Sequence, residues 1–65
     1  MEAYQQRVVD EKTLLDEKIE KLESFMTTVQ FENLKPYEKD LLSHQLHPMI
    51  DYSRILGFRI NAFEM

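Results

Sequence analysis

The chain contains no cysteine and no tryptophan, and only one glycine and two prolines in 65 residues. Without cysteine, neither a disulfide framework nor a thiolate zinc site can hold it together. A chain this short buries too little surface to be comfortable alone, and small proteins make up the deficit with disulfides, a structural metal or oligomerisation. Oligomerisation is the route left open. No apolar run approaches the roughly 20 residues needed to cross a bilayer, and the opening Met1-Glu2-Ala3-Tyr4-Gln5-Gln6-Arg7 has no signal-peptide pattern, so the expected location is the cytosol. No glycine-rich phosphate loop is present, and no histidine has a nucleophile and an orienting acid at a workable spacing. The expectation is a binding or assembly protein that uses no cofactor, not an enzyme.

Basic charge is scarce in the first half. Residues 1–34 carry eight acidic and four basic side chains, whereas residues 35–65 carry four of each, which places the whole net charge of −4 before the midpoint. An acidic surface repels phosphate backbones, so nucleic acid is not an expected partner. The acids alternate with lysines in Asp10-Glu11-Lys12 and Asp16-Glu17-Lys18-Ile19-Glu20-Lys21, the pattern of a solvated helix face.

What the chain does have is helical periodicity. Val8, Leu15, Ile19, Leu22, Met26 and Val29 recur at gaps of seven, four, three, four and three, with no glycine or proline across them, and this predicts a helix over residues 4–28. Lys12 fills the missing position between Val8 and Leu15 as a long cation within the seam. Thr27-Thr28-Val29 weakens helix propensity, and Pro36 suits the first position of a new helix, so a connector is expected over residues 29–35, with Phe31 and Leu34 plugging the closed end. The second helix is predicted over residues 36–62, with Leu42, Gln45, Met49, Tyr52, Leu56, Arg59 and Phe63 at alternating gaps of three and four. Leu41, Leu46, Ile50, Ile55, Phe58 and Ile60 widen its apolar stripe beyond what one partner helix can cover. Pro48 removes a backbone hydrogen bond and crowds the carbonyl of His44, which predicts a kink or break between His44 and His47, read here as a shallow bend. The fold class is therefore all-α: one domain, a two-helix antiparallel hairpin assembling into a helical homo-oligomer. Its core and interface are assigned to Val8, Leu15, Ile19, Leu22, Met26, Leu42, Leu46, Met49, Leu56, Ile60 and Phe63.

Two polar groupings qualify as candidate sites. Asp40, His44, His47 and Asp51 are spaced four, three and four apart and share a helix face. His44 and His47 are weak metal candidates there, because there is no third histidine and a solvated strip explains the same residues, so no metal is expected. A hairpin closing near residues 32 and 33 brings together positions whose numbers sum to about 65. Gln5, Gln6, Arg7 and Lys12 then gather at the open end with Tyr52, Arg54 and Arg59. Arginine forks hold phosphate or carboxylate, and a phenol stacks on a base, so this end can bind an anionic nucleotide. Pairing of Arg7 and Arg59 with Asp10, Glu11 or Glu64, or across an oligomer interface, is the competing use of the same charges.

The runs Gln5-Gln6-Arg7-Val8-Val9-Asp10-Glu11-Lys12 and Leu15-Asp16-Glu17-Lys18-Ile19-Glu20-Lys21-Leu22, together with Leu41-Leu42, Gln45-Leu46, Met49, Tyr52, Ile55-Leu56 and Arg59-Ile60, resemble a family of small bacteriophage proteins related to a crAss-like phage protein. Gln5, Arg7, Gln45, Tyr52 and Arg59 carry most of the specificity of that likeness. Pro48 and Leu14 depart from it. The resemblance implies an accessory protein acting in the cytoplasm of an infected bacterium against host immunity. One implied mechanism is an oligomeric sponge that sequesters a cyclic or ADP-ribose-derived nucleotide messenger. Direct inhibition of a host defence protein, or a virion or assembly accessory role, are the alternatives.

Overall fold

The computed structural model describes residues 1–63. Two long helices, α1 (Ala3–Phe25) and α3 (Pro36–Ala62), pack antiparallel along their length, joined by a linker that holds a single short helix, α2 (Val29–Glu32). The linker is more helical than an open connector, and α1 stops at Phe25, short of residue 28. Both features come from two threonines. The Thr27 and Thr28 hydroxyls donate to the carbonyls of Ser24 and Phe25 at 2.7 and 2.6 Å, satisfying the last turn of α1 with side chains. The Thr28 hydroxyl then accepts the Phe31 N–H at 3.2 Å and so caps α2, the usual action of threonine at a helix start. Pro36 opens α3 behind Lys35, which offers no capping side chain.

Each end of the hairpin is closed by an aromatic pair. Phe31 meets Phe25 edge to face at 6.1 Å, and Lys39 lies 5.8 Å over the Phe31 ring while pairing with Glu32. At the open end Tyr4 meets Phe63 edge to face at 5.9 Å. Interhelical contacts such as Lys12 to Ser53 and Glu11 to Tyr52 join residues whose numbers sum to 65 and 63, in keeping with a turn centred near residues 32 and 33.

α3 runs without a break through Pro48. Pro48 and His44 are both exposed, a position in which solvent can take up a backbone carbonyl left without its helix partner. Gly57 sits where the Lys12 stem crosses α3, and a Cβ built there would meet Lys12 Cε at 3.6 Å, ordinary contact. Gly57→Ala should therefore raise stability by about 0.5–1 kcal/mol through reduced unfolded-state entropy. Chemical denaturation monitored by circular dichroism would show it as a higher midpoint with an unchanged slope.

The core between the helices is thin. Among the described residues only Val8, Ile19, Leu56 and Ser53 are buried, and Leu56 alone is fully enclosed. Leu15, Leu22, Met26, Leu42, Leu46, Met49, Ile60 and Phe63, assigned from the pattern to core or interface, are half-buried. The seam also holds a closed polar ring. Lys12 Nζ donates to Ser53 Oγ at 2.7 Å and to Asp16 Oδ2 at 3.1 Å, and Ser53 Oγ donates to Asp16 Oδ1. Each hydrogen-bonding group in this ring has a partner, and the ring ties α1 to α3 in a single register, because shifting either helix would strand a part-buried cation.

The Ser53 hydroxyl, and after it Lys12, hold the Asp16 carboxyl below its ordinary pKa against the opposing effect of partial burial. A depressed carboxyl pKa contributes stability that is complete above the unfolded value of about 3.9 and is lost as pH falls through the folded value. The stability gap between the chain and its Asp16→Asn variant should thus be widest above about pH 4 and close below it. Thermal melts between about pH 2 and 7 measure that gap.

Candidate functional site

The helix repeat gives the hairpin two unlike sides. On α1, Arg7, Glu11, Leu14 and Lys18 follow gaps of four, three and four, and on α3, Leu41, Gln45, Pro48, Tyr52, Ile55 and Arg59 follow gaps of four, three, four, three and four. Each set is one stripe. In an antiparallel pair the two stripes lie on the same side of the seam, and Glu11, Leu14, Leu15, Lys18 and Tyr52 accordingly line one groove of about 210 Å³. The faces turned away from the seam carry Asp10, Thr13, Glu17, Glu20 and Arg54, all exposed, as a solvated polar surface.

Within the groove, the Tyr52 hydroxyl donates to the Glu11 carboxylate across the two helices. That bond raises the phenol's pKa above its ordinary value, a shift opposed by the nearby Arg59 guanidinium. The walls are apolar and open. Leu14 in the groove is 60% exposed, and Ile55, beyond the lining on the Tyr52 stripe of α3, is 54% exposed, large for leucine and isoleucine side chains on a structured helix. At the open end, Arg7 and Arg59 face each other across the seam by register, their numbers summing to 66. Among the described residues neither forms an ion pair, and Asp10 and Glu11 do not claim them. Pairing with Glu64 lies outside the described residues.

The remaining residues grouped from the sequence go elsewhere. Gln5 accepts the Glu2 N–H at 2.8 Å and so caps α1. Lys12 is spent in the ring with Ser53 and Asp16. Arg54 lies on the polar side, 3.5 Å from Asp51. Gln6 bonds Asp10, and Gln45 reaches the Met49 sulfur. The open-end cluster therefore reduces to Arg7, Tyr52 and Arg59. Glu11 and Leu14 join it, and sequence reasoning passed over both: Glu11 belonged to an alternating charge run, and Leu14 lay outside the heptad stripe. The register was the available signal for Glu11, because 11 and 52 sum to 63.

His44 and His47 are exposed, and the described residues hold no cluster of three or more histidine, cysteine, aspartate or glutamate side chains suited to a metal. No helix among them is long and apolar enough to cross a membrane.

The fold and this face define a small helical hairpin with an apolar groove edged by arginine. The chain belongs to the Sequestin family, whose model matches residues 2–62, the whole of α1 and α2 and all of α3. The name is that of a sequestering family, a binding role and not a catalytic one. Comparison with curated proteins and with solved structures gives no match.

Proposed function

We propose that this chain is a phage counter-defence protein, an oligomeric sponge that sequesters a nucleotide second messenger of bacterial immunity in the host cytoplasm. The observation that carries the reading is the face on which Arg7 and Arg59 border an open apolar groove containing a phenol. Two like charges on one edge that form no ion pair among the described residues favour a bound anion, and Leu14, Ile55 and Tyr52 offer the apolar and aromatic surface a base needs. Membership of a sequestering family supports binding over catalysis.

Exposed area supports assembly. The chain exposes 5144 Å², against about 4,400 Å² for a compact monomer of its 7.9 kDa mass. The excess, about 700 Å², is close to the roughly 800 Å² each partner contributes to a standard interface. Tyr37 and Phe58, 72% and 64% exposed, add to the unburied apolar surface of the chain, part of which runs along the groove. A second hairpin packed there would deepen the groove into a cleft. The exposed apolar surface also fits direct docking on a host protein, a reading in which no small ligand is retained.

Equilibrium dialysis against cyclic nucleotides and ADP-ribose-derived messengers distinguishes the two. A sponge depletes one messenger and returns it chemically intact after the protein is heat-denatured. Return of an altered molecule would mean catalysis, and depletion of none would leave protein docking.

A further inference from the structure

Every groove lining residue except Glu11 suits a phosphorylated aromatic ligand, and Glu11 does not. A carboxylate repels phosphate, and a groove serving only as an anion trap has no use for one. Its position is specific: it lies at the open-end edge of the groove, four residues from Arg7 and ahead of Leu14 and Lys18, and the Tyr52 hydroxyl is drawn across the seam to it. Ionised carboxylates accept and do not donate. The phenol supplies one donor, so the two oxygens have acceptor capacity to spare, and a ligand group placed here must bring hydroxyl or amino hydrogens.

We propose, building on the nucleotide-sponge reading, that Glu11 is the ribose-recognising residue of the groove and that Tyr52 is its placeholder. The vicinal hydroxyls of a ribose donate to the Glu11 carboxylate, displacing the Tyr52 hydroxyl, whose ring is then free to lie against the base. Carboxylates accept ribose hydroxyls in the same manner in dinucleotide-binding folds. The arrangement fixes the polarity of the ligand. Phosphate lies at the open end between Arg7 and Arg59, and the nucleoside points inward over Leu14 and Leu15, the two arginines of that end outweighing the single Lys18 at the other.

The test is isothermal titration of the full-length chain with AMP and with 2′,3′-dideoxy-AMP, repeated for Glu11→Ala, Tyr52→Phe and Arg59→Ala. The native chain should prefer AMP by at least about tenfold, the effect of one charge-assisted hydrogen-bond pair in an open groove. Glu11→Ala should bring the ratio to about one, chiefly by weakening AMP. Tyr52→Phe should keep the preference and bind AMP at least as well as the native chain, since no hydroxyl has to be displaced. Arg59→Ala should weaken both nucleotides alike and leave their ratio unchanged. Equal binding of the two nucleotides with Arg59 dependence intact would overturn the ribose assignment while leaving the sponge standing. Loss of both affinities in equal measure on Glu11→Ala would reduce Glu11 to a structural role. Binding of neither nucleotide would overturn the ribose assignment, and the sponge falls with it where the chain also retains no messenger in dialysis.

Discussion

Leu56→Ala should unfold the isolated hairpin. Leu56 is the one fully enclosed side chain of the described residues, and the register set by Lys12 and Ser53 places it opposite the buried Val8 of α1. Truncating a buried leucine costs about 2–5 kcal/mol through lost transfer energy and the cavity left behind. A chain of this size with so thin a core has about that much stability in all. The helical circular-dichroism signal should fall sharply at micromolar concentration and, under the proposed assembly, return in part as concentration rises, since association would stabilise the folded chain by mass action. Full helicity and an unshifted melting temperature at low concentration would show that the seam is not where the stability lies.

The second large effect falls on binding and spares the fold. Arg7 and Arg59 are exposed and make no ion pair among the described residues. Exchanging an unengaged surface side chain changes stability by about 0.5 kcal/mol or less. A charge-assisted hydrogen bond to phosphate contributes about 1.5–3 kcal/mol, so alanine at either arginine should weaken messenger binding by roughly ten- to a hundredfold, and alanine at both should abolish it at micromolar concentration. Titration calorimetry beside thermal melts separates the two readouts. A double variant that binds undiminished would move the site away from the open end, and one that unfolds would make the arginines structural.

The helices were legible in the sequence because their apolar residues keep a regular repeat over more than six turns, and because Pro36 and the paired threonines mark the reversal. The pairing register was legible too, since a short turn near residues 32 and 33 leaves little freedom in which residues meet. Side-chain chemistry that crosses between helices was not. Ser53 reads in sequence as an undistinguished small residue, yet it is buried as the bridge between Lys12 and Asp16. Lys12 was correctly placed within the seam and also counted toward an anion site, and the geometry reconciles these by giving its charge to Asp16. Gln5 and Arg54 looked like ligand groups because the register brings them near the open end, but helix phase turns Arg54 to the far side and capping occupies Gln5. The proline was weighed by its cost to a helix interior; its exposure, which water makes tolerable, depends on phase against the partner helix. The short α2 escaped notice because four residues carry no periodicity, and only the Thr28 cap reveals it.

The central claim is that hairpins assemble over the face bearing Leu14, Tyr52 and Ile55 and hold a nucleotide at its arginine edge. Native mass spectrometry of the purified chain, alone and after incubation with cyclic nucleotides and ADP-ribose-derived messengers, reads assembly and ligand in one spectrum. The predicted result is a homo-oligomer that gains one messenger mass per cleft. A folded monomer, or an oligomer that gains no mass with any messenger, would contradict it.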